Sequence, residues 1–195
     1  MASSDREPTP SVVAEVGGLP LAASDHLCVF YRGREERDRL MLPYLREGLR
    51  NDHPCLCIPG EGESDEIHTL VSEQGSDLEG LQVVEPKDAY LPTGAFVPAA
   101  VMAVLDGWSK NIFEGPAAPR AARVVADMSW AQPMVTLRFV ADLVRFEQQV
   151  SDWAKAYPQI GMCMYDLDTF GGDVVIATVT AHPKVWLNGA IFENP

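Results

Sequence analysis

The sequence predicts an α/β domain, a mostly parallel central sheet with helices on both faces. Two observations carry this. From Asp25 onward, short apolar runs alternate with segments of helical periodicity, the pattern of strands joined by crossover helices. At 195 residues, 47% hydrophobic and 22% charged, the chain is also long and apolar enough to bury one sizeable core.

The elements follow in order. Residues 1–24 are rich in Ser, Pro and Ala without sustained periodicity, and are expected to form a disordered N-terminal tail ahead of a single domain over 25–195. His26 to Tyr31 reads as a buried strand. A charged loop, Arg32 to Asp38, follows, and then Leu40, Tyr44, Leu45 and Leu49 recur at helical spacing, with Pro43 set to kink that helix or start its main segment. Pro54 to Pro59 is a second strand, followed by a helix with Ile67, Leu70 and Val71 on one face. Leu81 to Val84 is a third strand, Lys87 to Gly94 a loop, and Phe96 to Phe113 a helix whose core face is expected at Met102, Leu105 and Trp108. Arg123 to Met128 is the fourth strand. A long helix then buries Leu137, Val140, Ala141, Val144 and Val150, and Gly161 to Tyr165 is the fifth strand. Asp173 to Ala181 is β-branched enough for a strand, yet the alternation calls for a helix there.

Composition excludes several functions. A formal net charge of −13, with no basic run, argues against direct nucleic-acid binding, which needs clustered Lys and Arg. No apolar segment approaches the roughly 18–20 residues that span a bilayer, and the N-terminal stretch lacks the cationic start and apolar core of a signal peptide. A cytoplasmic protein with no membrane partner is expected. Cys28, Cys55, Cys57 and Cys163 lie inside apolar runs, as reduced core thiols do, and Cys55 and Cys57 are too close for a zinc hairpin. No metal, no cofactor and no visible absorption band are therefore expected.

The strand–loop–helix at Asp25 has the outline of a phosphate-binding loop, which aims backbone N–H groups and a helix N-terminus at an anion. Its chemistry is missing: the loop has one glycine, Gly33, and no lysine. No G-x-x-x-x-G-K-[ST] occurs, Gly60-Glu61-Gly62 lacks the third glycine of a dinucleotide fingerprint, and Asp166 to Asp173 matches a calcium loop at three positions only. There is no H-E-x-x-H and no G-x-S-x-G.

What remains is a constellation at strand ends, where the ligand crevice of an open parallel sheet lies. Tyr31, Arg32 and Glu35 follow the first strand, Asp127 and Trp130 the fourth, and Tyr165 and Asp166 the fifth. Asp127 and Asp166, two acids at one crevice, are the strongest candidates. His26 and His182 are further candidates, but His26 opens its strand about 16 Å from Tyr31, too far to share a small pocket with the strand ends. Glu147 competes with a solvated-face reading and Trp130 with a core reading.

An ordered set of segments carries a resemblance. DHLCVFYRGREERDRLMLPYLREGL from Asp25, ADMSW around Asp127, Phe146-Glu147, CMYD from Cys163 and HPKV from His182 together resemble the MEDS family, the sensory domain of methanogens, methylotrophs and the regulator DcmR. Two positions depart from the pattern: Asp127 stands where a Glu is expected, and Phe146 where a Tyr is usual. The resemblance implies a non-enzymatic signal-input domain for small hydrocarbon-like or methylated compounds, on a RecA/KaiC-like three-layer fold without a Walker A loop. On that reading Tyr31, Arg32, Glu35, Asp127, Trp130, Glu147, Cys163, Tyr165 and Asp166 bind the ligand, and a regulatory partner protein receives the signal. A homodimer is left open. The segment before Asp25 is too short and acidic for the DNA-binding module of a DcmR-like regulator. The alternatives are a degenerate nucleotide binder using Arg32, Arg34 and Arg37, a metal- or haem-binding sensor using the Cys and His residues, and an enzyme with Cys163 as nucleophile, which lacks an evident base.

Overall fold

The computed structural model describes residues 12–73, 75 and 77–194. Its strands are β1 (Val12–Val16), β2 (Leu19–Ala22), β3 (His26–Tyr31), β4 (Cys55–Ile58), β5 (Leu81–Val83), β6 (Ala122–Asp127), β7 (Gln159–Asp166), β8 (Lys184–Leu187) and β9 (Ala190–Glu193). Its helices are α1 (Gly33–Arg50), α2 (Ser64–Ser72), α3 (Pro86–Tyr90), α4 (Pro98–Phe113), α5 (Leu137–Ala156) and α6 (Gly172–Ala181), with a 3-10 turn at Met128–Met134. β1 and β2 form a separate hairpin. The other strands make one seven-stranded sheet in the order β5-β4-β6-β7-β3-β8-β9, parallel except for β9. The three-layer α/β architecture is the one the sequence predicts.

Strand parity sorts the core into two halves, because successive side chains point to opposite faces. On one face Cys28, Phe30, Leu56, Ile58, Val124, Ala126, Cys163 and Tyr165 pack under α3, α4, α5 and α6. On the other, Leu27, Val29, Tyr31, Cys55, Cys57, Val125, Met162 and Met164 pack against α1, α2 and the β1–β2 hairpin. The central strands are buried on both faces, which explains their unbroken apolar runs.

Several expectations are corrected. The loop from Arg32 to Asp38 does not exist as a loop: Arg32 alone separates β3 from α1, and α1 runs on through Pro43 to Arg50. α3 occupies part of the stretch read as a loop from Lys87 to Gly94. On α4 Val101, Leu105 and Ser109 are fully buried, while Met102 and Trp108, expected on the core face with Leu105, are half-buried and pack against the same core. In α5 the buried stripe is Phe139, Leu143, Phe146, Glu147 and Val150, while Leu137 at the first turn is 86% exposed. Asp173 to Ala181 falls within α6. A parallel connection from β7 across β3 to β8 needs a crossover helix, and Thr178 fits it by donating its hydroxyl to the Val174 carbonyl.

The tail expectation is corrected for its second half. β1 and β2 close through Gly17 and Gly18, both at positive φ as a tight type I′ hairpin requires. Ala14, Val16 and Leu21 are buried against the sheet. Arg123, wholly buried, ties the hairpin down by donating to the Val13 carbonyl at 3.2 Å, to the Tyr44 carbonyl at 2.7 Å and to Glu47 at 2.6 Å. Residues 1–11, the rest of that expectation, lie outside the described residues. No helix among the described residues is long and apolar enough to cross a membrane.

Candidate functional site

The candidate residues divide between the two faces. Tyr31, Arg32, Glu35, Asp127 and Asp166 belong to the α1 side of the sheet or its rim. His26, Trp130, Glu147, Cys163, Tyr165 and His182 belong to the α5 side. One shared crevice is therefore replaced by two separate polar centres.

On the α1 side, the strand ends are closed by the chain's own charges. The buried Asp127 carboxylate accepts from the Tyr31 hydroxyl at 3.1 Å, Arg37 Nη1 at 2.7 Å and the Ser129 N–H at 2.8 Å. Arg37 also pairs with Glu63 at 2.7 Å and Asp38 at 2.9 Å. Burial opposes the charge of Arg37, but the three carboxylates outweigh it and raise its pKa. Burial and the neighbouring Asp127 push the Tyr31 phenol up, so it stays a donor. The N-terminus of α1 is also occupied: the Arg32 N–H donates to Glu36 at 2.8 Å and the Gly33 N–H to Asp166 at 3.4 Å. Arg32 pairs with Asp168 at 2.5 Å, Arg34 with Glu63 and Glu66, and Glu35 with Arg39 at the surface. Every one of these arginines has an acidic partner. Asp166 serves mainly to bind the turn after β7, accepting from the Asp168 N–H at 2.9 Å and the Thr169 hydroxyl at 3.1 Å.

The α5 side holds the second centre. His26 starts β3 with its imidazole on the Cys28–Phe30 face. Its register partner on β7 is Gly161, where a Cβ would sit 3.1 Å from the imidazole; the missing side chain makes room for the ring. Cys163 and Tyr165, two and four residues along β7, point the same way. Glu147 and Ser151, one helical turn apart on α5, come down from above, and His182 follows directly after α6. His26 Nε2 lies 3.5 Å from Cys163 Sγ and 3.5 Å from Glu147 Oε2. His182 Nε2 lies 3.3 Å, and Cys163 Sγ 3.4 Å, from the same carboxylate oxygen. The Tyr165 hydroxyl donates to Glu147 Oε1.

Charge at this centre follows from its surroundings. Burial alone would protonate Glu147, but His182 and His26 hold its carboxyl well below the usual range. Burial and the adjacent His182 bring His26 down to about 4. Burial, then Glu147, push Cys163 and Tyr165 up, so without a cation both stay protonated. The Cys163 thiol is thus unfit as a nucleophile in this state.

Beside the centre the core is aromatic and incompletely filled. Trp130 stacks on Tyr90 at a centroid distance of 4.3 Å, with Phe96 at 5.3 Å from Trp130. A cavity of about 20 Å³ lies between Cys163, Tyr90, Phe146, Ile58 and Leu105. A second apolar cavity of about 40 Å³, lined by Leu56, Val101 and Val104, shares Ile58 and Leu105 with it and leads toward the surface at α4.

Fold and site together define an α/β domain whose strand-end crevice is sealed by ion pairs and whose polar centre is internal, facing an apolar core. Within that class the chain belongs to the MEDS family, the MEthanogen/methylotroph, DcmR Sensory domain, which it matches over residues 25–183. It is 22% identical over 174 residues to the transcriptional repressor DcmR of Methylorubrum extorquens, a match covering 88% of this chain and 63% of that protein. The matched region is therefore under two thirds of the repressor. The family is a sensory one and the relative a regulator of transcription.

The sequence reading placed Glu147 between solvent and site, and set His26 apart from the strand-end residues. The structure buries Glu147 and joins it to His26. Ser151, Tyr90 and Phe96 were missed. The signal that could have found the centre was parity: His26, Cys28 and Phe30 share one face, and Cys163 and Tyr165 share the face of their neighbours.

Proposed function

We propose that this chain is a signal-input domain that takes an organic ligand of one or two carbons into the apolar space beside Cys163, with Tyr90, Phe146 and Trp153 around it. The ligand is hydrocarbon-like or methylated. A regulatory partner protein, or a second copy of the chain, receives the signal through displacement of α5, which carries both Phe146 and Glu147. The observation that carries this reading is the apolar cavity ending on a buried thiol next to a buried carboxylate. Its volume, about 20 Å³, suits a group of one or two heavy atoms and nothing larger without movement of α4. Membership of a sensory family and a repressor as relative support the regulatory output. The nucleotide-binding alternative is less well supported, because the α1 N-terminus and Arg32, Arg34 and Arg37 are already engaged by carboxylates.

Thermal melting against methanol, halomethanes and methyl sulfides tests the reading, with ATP and magnesium as the contrast. A ligand at about 100 times its Kd adds roughly 2.7 kcal/mol, about 5–10 °C for a protein of this size. Leu105→Phe, which fills both cavities, should remove that response. A shift with ATP and none with any small organic compound would reject the proposal.

A further inference from the structure

The α5-side centre has a feature the sensory reading does not use. His26, Glu147, Cys163 and His182, all buried, bring one donor atom each to within 4.8 Å of one another. Tetrahedral coordination with bonds of about 2.0–2.2 Å to nitrogen and oxygen and about 2.3 Å to sulfur sets donor–donor edges of about 3.3–3.6 Å. Four of the six edges here are 3.5, 3.5, 3.3 and 3.4 Å.

Proton positions add an independent argument. His182 Nδ1 lies 2.8 Å from the Thr178 carbonyl, which can only accept, so the proton sits on Nδ1. Ser151 donates its single hydroxyl proton to the Glu147 carbonyl and must accept from His26 Nδ1 at 2.8 Å. With Nδ1 of each ring held by an oxygen partner, both imidazoles turn Nε2 toward the Glu147 carboxylate. His182 Nε2 is buried and has no hydrogen-bond partner among the described residues. A buried, unpaired imidazole nitrogen beside a carboxylate and a thiol is an arrangement that a bound cation would satisfy. The outer contacts are those that orient metal-ligating histidines, each with its second nitrogen bound to a carbonyl or hydroxyl, and Tyr165 holds the other Glu147 oxygen.

We propose that His26 Nε2, Glu147 Oε2, Cys163 Sγ and His182 Nε2 form a closed tetrahedral site for a divalent transition metal of the zinc class. On binding, the Cys163 S–H bond breaks, its proton passes to solvent and the sulfur lone pair forms the bond to the metal. Thiolate, carboxylate and two neutral imidazoles then balance the 2+ charge. A hard cation such as magnesium or calcium is disfavoured by the sulfur and nitrogen donors, and cavities of about 20 and 40 Å³ leave no room for a haem. A surface groove lined by Ser151, His182 and Pro183 lies beside the site. Cys163 is a buried core thiol, as expected; on this proposal it is a ligand as well, which no local spacing reveals because the donors come from four separate elements. The metal would form the floor of the ligand cavity, but the site stands or falls independently of sensing.

The test is cobalt(II) and zinc(II) titration of the chelator-stripped full chain. Expected are one metal per chain, a thiolate-to-cobalt charge-transfer band in the near ultraviolet, intense visible bands of a tetrahedral ion, and displacement by zinc. Cys163→Ser should abolish the charge-transfer band while Cys28→Ser, on the neighbouring strand, keeps it. Ser151→Ala, which only orients His26, should weaken affinity about 10- to 100-fold. Wild-type protein that is folded by circular dichroism yet binds no cobalt at micromolar excess overturns the proposal, whatever the variants do. So does a charge-transfer band that survives Cys163→Ser. Small-ligand melting shifts in the stripped protein would show sensing without metal, so the two readings can fail separately.

Discussion

Arg37→Met is the most informative single change on the α1 side. Arg37 is 4% exposed and Asp127 1%, and they meet at 2.7 Å. Removing the guanidinium leaves the Asp127 carboxylate with two donors, Tyr31 and Ser129, but no countercharge. Breaking a buried pair from one side costs about 3–5 kcal/mol, chiefly because the remaining charge is stranded. Glu63 and Asp38 add little to this loss: both reach solvent and both also lie near Arg34, at 3.7 and 3.6 Å. Asp127→Asn is milder, because Arg37 keeps Glu63 and Asp38; a loss of about 1–2 kcal/mol is expected. The double variant Arg37→Met with Asp127→Asn contains no stranded charge and should be more stable than Arg37→Met alone by roughly 1–2 kcal/mol. Urea unfolding followed by circular dichroism at pH 7 reads all three, with the m-value checked for constancy. A loss below 1 kcal/mol for Arg37→Met, or a double variant as unstable as the sum of the singles, would refute the view that this pair is a closed structural unit. Asp127→Asn should also leave the small-ligand response unchanged, since the acid faces away from the α5-side cavity.

Three further outcomes follow from the geometry. Gly48→Ala should destabilise by about 1–3 kcal/mol despite alanine's helix propensity, because the new Cβ would sit 2.7 Å from both Arg123 Cδ and Cys55 Sγ; a gain in urea midpoint would contradict this. Deleting residues 1–22 should cost at least ~2 kcal/mol, since Ala14, Val16 and Leu21 lose their burial and Arg123 loses the Val13 carbonyl; an unchanged melting temperature would restore the tail reading. Burial and the adjacent Arg123 hold His53 below its ordinary value, so between that lowered value and about 6.5 the unfolded chain binds the proton and the folded one does not. Stability should therefore fall as pH is lowered through about 6.5, and His53→Asn should flatten the decline; an equal slope in the variant would remove His53 as the cause.

What was legible in the sequence was the one-dimensional pattern. β3 matches its expected range because six consecutive buried residues leave little choice, and β4 and β6 fall close to theirs for the same reason. Helix phase was harder. In α5 the expected stripe began at Leu137, but Thr136 caps the helix by accepting from the Phe139 N–H, and the entering chain leaves Leu137 outside while Phe139 turns inward. Glu147 was obscured by its own chemistry: a charge beside an apolar stripe normally faces water, and only partners from β3, β7 and the end of α6 make its burial tolerable. The hairpin was hidden for a similar reason. Its apolar residues are few, and what fixes it is Arg123, 110 residues beyond Val13 in the chain, a contact that local composition cannot show.

The same reasoning explains why a strand–helix unit with the outline of a phosphate loop carries none of its chemistry. An anion site at a helix N-terminus needs free backbone N–H groups and an unneutralised cation nearby. Here one residue connects β3 to α1, so no loop exists to wrap a phosphate. Glu36 and Asp166 already accept from the two N–H groups at that end, and Arg37, which could have faced a phosphate, is held by Asp127, Glu63 and Asp38. A polyphosphate entering this space would meet carboxylates first. Across the sheet the polar centre is buried among His26, Glu147, Cys163 and His182, with a small apolar cavity beside it. The first centre is self-sufficient; the second, with His182 Nε2 unpaired among the described residues and a cavity at its side, is the one that a ligand or an ion can change.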